Sequence, residues 1–130
     1  MRINYIIILI LLTSCQKKDV NIYNEWNLTS YIRGPGEIVI NSGFYLKLKI
    51  TKDKTLTAFL NTNECYGDFT KGVKNFEITN LYCDTLCCDS SLSKEALNLI
   101  QDSIETYNIN GTTLRLTGGS FTKLEFEIVQ

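Results

Sequence analysis

The sequence predicts a mostly-β, α+β domain: an antiparallel sheet or open barrel with one amphipathic helix packed on it. Three observations lead there. Apolar and polar residues alternate in successive short runs, the period-two pattern of half-buried strands. Gly34-Pro35-Gly36, Asn110-Gly111 and Gly118-Gly119 punctuate those runs as turns. A single stretch, starting at Leu92, instead repeats its apolar residues at three- and four-residue steps. Strands, then one helix, then strands is an α+β order.

In chain order, Trp26, Leu28 and Ser30 alternate with Asn27, Thr29 and Tyr31, so residues 23–32 read as a first strand. Phe44, Leu46, Leu48 and Ile50 alternate with Tyr45, Lys47 and Lys49, giving a strand with one buried face. Lys52-Asp53-Lys54 turns the chain into a paired strand at 55–60. Residues 61–68 read as a polar, Gly-containing segment. Phe76 and Ile78 then mark another strand, reaching about residue 81. The helix is expected over 92–106, with Ser91 or Ser93 as N-cap, Glu95 in the first turn, and Leu97, Ile100 and Ile104 on its apolar face. Asn110-Gly111 is a type I′ hairpin signal between strands at 107–109 and 113–117. The closing strand, 121–129, alternates Leu124, Phe126 and Ile128 with Lys123, Glu125 and Glu127. Trp26, Phe44, Phe59, Phe76, Phe121 and Phe126 are the expected core fillers.

The first fifteen residues carry an address. Met1-Arg2 precedes a nearly pure apolar run from Ile3 to Leu12. That run is about half the roughly 20 residues a membrane-spanning helix needs, so it reads as the hydrophobic region of a secretory signal. Leu12-Thr13-Ser14-Cys15 follows, an aliphatic residue, two small ones and Cys. This resembles the lipobox of bacterial lipoproteins. The resemblance implies cleavage before Cys15, a diacylglycerol on its thiol and a further acyl chain on its new amino group, because stable anchoring takes more than one chain. The chain divides accordingly into a signal peptide (1–14), a lipidated tether (15–21) and a domain (22–130). Gln16 stands where an Asp would retain many lipoproteins at the inner membrane, so the resemblance favours the outer membrane. Gln16-Lys17-Lys18-Asp19 is also partly similar to the surface-export signals of Bacteroidetes lipoproteins. Periplasmic and surface orientations both stay open.

Composition narrows the chemistry. Lys+Arg number 13 against 14 Asp+Glu, with no His, in 130 residues. A near-neutral balance makes no case for nucleic acid, which needs a basic face. Without His, the chain lacks the commonest general base and a principal zinc ligand. No catalytic residue and no cofactor are expected. Glu64, Asp68, Asp84 and Asp89 flank the cysteine segments and could cluster in space, although polar loops commonly carry acids.

Lipidation of Cys15 leaves Cys65, Cys83, Cys87 and Cys88 as disulfide candidates in an oxidising compartment. Of three connectivities, the one that joins the neighbours Cys87 and Cys88 closes a strained ring. Cys65–Cys88 with Cys83–Cys87 is favoured over Cys65–Cys87 with Cys83–Cys88. A bridge across about 23 residues is worth about 3 kcal/mol in the chain-entropy model. A four-thiolate metal site is the sharper alternative, but Cys65 stands alone instead of forming a second knuckle, and no metal is expected.

Several local motifs together resemble the META/HslJ-like domain family. They are the Trp26-Asn27-Leu28 start, the turn Asn63-Glu64-Cys65-Tyr66-Gly67-Asp68-Phe69, and the segment Thr85-Leu86-Cys87-Cys88-Asp89 before the helix. Tyr107, Ile109, Gly111, Leu114 and Leu116, then Leu124-Glu125-Phe126, complete the pattern. The order Asn63 before Cys65 and the extra Cys83 depart from it. The resemblance implies an exported, non-catalytic lipoprotein with an envelope stress or structural and interaction role. Its expected partners are the membrane, through the lipid anchor, and an envelope protein. Lipocalin-like lipoprotein barrels share the strand patterning and would instead bind a small apolar ligand. Segments 34–42 and 61–71 would form the rim of a groove, with Tyr31, Tyr45 and Tyr66 as the aromatics whose exposure separates an interface from a core.

Overall fold

The structure, a computed structural model, describes residues 20–41, 43–84, 88–119 and 121–130. The signal segment, Cys15 and the tether through Asp19 lie outside these residues, as does Cys87.

Nine strands form one antiparallel sheet. They are β1 (Glu25–Arg33), β2 (Glu37–Ile40), β3 (Lys47–Ile50), β4 (Thr55–Phe59), β5 (Glu64–Lys71), β6 (Phe76–Cys83), β7 (Ile104–Asn110), β8 (Thr113–Gly118) and β9 (Lys123–Ile128). The helix α1 (Ser91–Ser103) lies between β6 and β7 in the chain. The spatial order is β6-β5-β4-β3-β1-β9-β8-β7, and β2 pairs with β1. One edge of β1 is shared: Glu25, Trp26 and Asn27 face β3, while Ser30 to Arg33 face β2. Its other edge takes β9 along its length. The sheet curls into a half-barrel until its edges meet at the Asn75–Thr106 bridge, where the Tyr107 N–H donates to the Lys74 carbonyl at 2.8 Å.

Alternation sets which face is inside. Trp26, Leu28, Leu48, Leu56, Ala58, Leu114, Leu116, Leu124 and Phe126 are all buried. At roughly 25 cal/mol per Å² of apolar surface, this interior is the main driving force for the fold. The buried Trp26 indole N–H donates to the Ile22 carbonyl at 2.9 Å, so its polar atom costs nothing unpaired. Two expected fillers lie elsewhere. Phe121 is 65% exposed at the β8–β9 turn with φ 72°, and Phe59 is half-buried under the Lys47 ammonium, 4.6 Å from its ring centre. Phe69 and Tyr31 take interior places instead, against Phe76 and Phe44.

The helix is shorter than 92–106, and its cap sits one residue earlier than expected. The Ser90 hydroxyl accepts the Leu92 N–H. Ala96, Leu97 and Ile100 are its buried face. It stops at Ser103 because Ile104 already pairs with Gly118 as the first residue of β7. That junction is tight: a Cβ on Gly118 would lie 1.8 Å from the Ser103 carbonyl oxygen.

The expected polar segment 61–68 is largely strand. β5 pairs with β4 through Thr55–Asp68 to Phe59–Glu64 and with β6 on its other side. This corrects the disulfide pairing. Cys65 and Cys83 are direct cross-strand partners and are joined to each other, at a sequence separation of 18. Neither Cys65–Cys88 nor Cys83–Cys87 forms. The physical reason is register: once 64–71 is a strand, Cys65 is fixed opposite Cys83 and is not free to reach Cys88. Cys88 is exposed, with φ 76°.

Candidate functional site

The disulfide is the foundation of one surface feature that joins aromatic and polar side chains. Cys65 is buried, so its neighbour Tyr66 faces outward. Tyr82, one position before Cys83, pairs with Tyr66 in register. Their ring centres are 5.6 Å apart, and Tyr82 is 63% exposed. The bridge therefore clamps two strands directly beside a cross-strand aromatic pair. A register shift at Gly67 brings β5 unusually close to β6: a Cβ there would meet Ile78 Cγ2 at 3.0 Å and the Thr79 carbonyl at 3.2 Å.

Beyond the aromatics the outer face is concave. A cleft of about 350 Å³ runs across β4, β5 and β6, lined by Tyr66, Tyr82, Thr55, Thr57, Asp68 and Asn80. The Asn80 amide donates to Asp68 at 2.7 Å, fixing both side chains, and Asn80 itself has φ 54°. The Tyr66 hydroxyl donates to Glu64 at 2.6 Å. That hydrogen bond, followed by desolvation and the charge of Asp84, pushes the Tyr66 phenol up to about 12. Tyr66 is thus a neutral, oriented ring at any physiological pH.

Asp89 acts one loop away. Its carboxylate accepts the backbone N–H of Thr62 (2.7 Å) and Asn63 (3.2 Å) and the Asn63 amide, while the Thr62 hydroxyl donates to the Cys88 carbonyl. Burial pushes the Asp89 carboxyl up, but these donors outweigh it and hold the group below its ordinary value. Next to it, buried Ser93 accepts the Tyr45 N–H and donates to Asn61 at 2.8 Å. The Asn61 contact fastens the start of α1 to the β4–β5 turn, and the Tyr45 contact fastens it to the segment leading into β3. On the other side of the helix, Glu95 accepts from the Tyr31 hydroxyl (3.2 Å) and from Arg33 (2.7 Å).

The four acids near the cysteines therefore do not converge. Glu64 holds Tyr66, Asp68 holds Asn80, Asp89 fastens the loops, and Asp84 lies close enough to Tyr66 to act on it by charge. Among the described residues, no group of three or more Cys, Asp or Glu is placed to hold a metal ion. The three test aromatics split: Tyr31 is buried, Tyr45 is exposed and Tyr66 is half-buried beside Tyr82. Tyr82, Asn80 and Thr57 were missed from sequence. Extending the 75–81 alternation by one step reaches Tyr82 but puts it on the face of Phe76 and Ile78; the register shift between Tyr66 and Asp68 turns it outward instead.

No family model matches the chain, and no curated protein matches it. Solved structures do. A crystal structure of a DUF4847 family protein from Bacteroides vulgatus ATCC 8482 is 12% identical with a TM-score of 0.61, covering 81% of this chain and 92% of that one. An NMR structure of a protein from Burkholderia xenovorans is 15% identical with a TM-score of 0.66, covering 83% of each chain. A further NMR structure is 11% identical with a TM-score of 0.58, covering 82% of this chain and 89% of that one. These likenesses establish the curled, mostly-β fold with one helix.

Proposed function

We propose that this chain is an exported, lipid-anchored and non-catalytic binding protein of the outer membrane, of the META/HslJ-like kind, that engages an envelope partner through the Tyr66–Tyr82 cleft. The observation that carries this reading is the Cys65–Cys83 bridge beside the pair of half-buried Tyr66 and exposed Tyr82. Structural disulfides persist in exported proteins, which agrees with the lipobox at residues 12–15. A rigid aromatic pair with flanking Asp68, Asn80 and Thr57 offers stacking area and fixed hydrogen-bonding groups at little entropy cost. Glu64 and Asp68 hold Tyr66 and Asn80 in place, which gives a partner a fixed set of groups to meet. The apolar-ligand alternative is less well supported, because the side chains of Trp26, Leu48, Leu116 and Phe126 fill the place such a ligand would take.

Two measurements test the reading. Intact-mass analysis of the mature protein should show a chain beginning at an acylated Cys15 and lacking two hydrogens for the disulfide. Crosslinking in intact envelopes should then capture a partner that a Tyr66→Ala, Tyr82→Ala variant loses. An unprocessed chain refutes the anchor, and capture of nothing but the chain itself refutes the partner.

A further inference from the structure

The end of the barrel from which the tether leaves carries a compact group of lysines. Lys52 and Lys54 lie in the β3–β4 turn, and Lys71 and Lys74 flank the β5–β6 turn. The β3–β4 turn lies against the last residues of β5, since the Phe69 N–H donates to the Lys54 carbonyl at 2.8 Å. Lys71 Nζ lies 5.3 Å from the ring centre of Tyr23 and 3.5 Å from the Tyr107 hydroxyl. Tyr23 also lines a surface groove with Lys52, Lys49 and Glu25, the last two 3.9 Å apart as an ion pair. The chain therefore enters the fold, three residues before Tyr23, beside these lysines. Among the described residues, none of Lys52, Lys54, Lys71 and Lys74 has a carboxylate within ion-pair distance. The acids on the same turns are fewer: Asp53, bonded by the Thr51 and Thr55 hydroxyls, and Glu77, set back opposite Thr70. At the tip between Lys71 and Lys74, Val73 is 94% exposed. The opposite end is more acidic, with Glu37, Glu64, Asp84, Asp89 and Glu95 against Arg33, Lys94 and Lys123.

We propose that the Lys52–Lys54–Lys71–Lys74 patch, with Val73 at its tip, docks on the anionic phospholipid headgroups of the bilayer that holds the anchor. The inference rests on the lipoprotein reading. Its argument is length and charge. Four residues, five Cα steps, separate Cys15 from Val20, a span of at most about 18 Å when fully extended. β1 has nine residues, about 30 Å of strand. A tether shorter than the domain holds the lysine end against the membrane and keeps the Tyr66–Tyr82 face and the acidic end away from it. Lysines close to an anionic surface are attracted within a Debye length, and an exposed apolar tip adds contact at the headgroup boundary.

The test uses the lipidated, mature protein on two kinds of vesicle, phosphatidylethanolamine mixed with either phosphatidylglycerol or phosphatidylcholine. Flotation reads the anchor. Lysine acetylation by a soluble reagent, read residue by residue in the mass spectrometer, reads the orientation. On phosphatidylglycerol vesicles, labelling of Lys52, Lys54, Lys71 and Lys74 should fall about fivefold or more relative to phosphatidylcholine and recover in molar salt, with Lys94 and Lys123 unchanged. A chain that floats with both vesicles but labels identically on each keeps its anchor and overturns the patch. Protection of Lys94 and Lys123 in place of the four also overturns it. A chain with no acyl group on Cys15 that floats with neither overturns both readings.

Discussion

Removing the Cys65–Cys83 bridge separates the observed pairing from the one the sequence favours. The bridge closes a loop with a separation of 18, which in the chain-entropy model withdraws about 3 kcal/mol from the unfolded state. With a urea dependence of about 1.5 kcal/mol per molar, typical of a small domain, the midpoint should fall by about 2 M. Magnitude alone does not identify the pair, because a Cys65–Cys88 bridge would be worth nearly the same: loop entropy grows only with the logarithm of length. The variants do identify it. Cys83→Ala should lose the full amount, and Cys83 is half-exposed, so little cavity cost is added. Cys88→Ala, at an exposed position, should unfold at the wild-type midpoint. Dithiothreitol should lower the wild-type midpoint to that of Cys83→Ala and shift Cys83→Ala no further. Urea unfolding followed by Trp26 fluorescence measures all four. If Cys83→Ala unfolds at the wild-type midpoint, or Cys88→Ala loses as much as Cys83→Ala, the cross-strand register on which the reasoning rests is wrong.

Gly118→Ala should destabilise by about 3 kcal/mol or prevent folding, since its Cβ would enter the Ser103 carbonyl. Gly119→Ala, where a Cβ meets nothing within 4 Å, should be near neutral in the same denaturant assay. In an ultraviolet titration, Tyr31 and Tyr66 should ionise late, each near 12. Burial followed by the charge of Glu95 accounts for Tyr31, and the Glu64 hydrogen bond accounts for Tyr66, so Glu64→Gln should bring one of the two back toward the ordinary range. Because the folded-state value of Tyr31 is raised, its contribution is complete below the unfolded value of 10.0 and is lost as pH rises through about 12. At the acid side, Asp89 and Glu125 are both held below their ordinary values of 3.8 and 4.5, against the push of burial, by their hydrogen-bond partners. Their contribution is therefore present above those values and is lost as pH falls through the depressed ones. Asp89→Asn should flatten that acid limb in pH-dependent thermal unfolding.

Alternation made the strands at Trp26, Leu48, Leu56, Phe76 and Leu124 legible, because each has one dry face and one wet face. β5 was hidden for a physical reason: Glu64, Gly67, Asp68 and Lys71 are the residues of an outer face and a bulge, and they read as a loop until neighbours are supplied on both sides. The lost strand misplaced Cys65 and with it the disulfide. β2 was missed because it pairs only with β1 and leaves Ile38 and Ile40 exposed, so no burial pattern marks it. The helix was legible in its face but not in its end, since Ile104 satisfies the helical period yet belongs to a strand set by Gly118. Of the candidate site, Tyr66 is legible in the sequence as an aromatic beside Cys65. Its partner Tyr82 and the cleft depend on cross-strand register, which a single sequence specifies only weakly.

β1 lies between β3 and β9, and its pairing with β9 joins Trp26 to Ile128, about a hundred residues further along the chain. The earliest strand to be synthesised thus waits for the last before its second edge is satisfied. Without β9, Trp26 and Leu28 lack one of the walls that bury them. Pairing across that separation makes β1 a strand whose second edge is closed only by residues near the far end of the sequence, so the fold is set by non-local contacts.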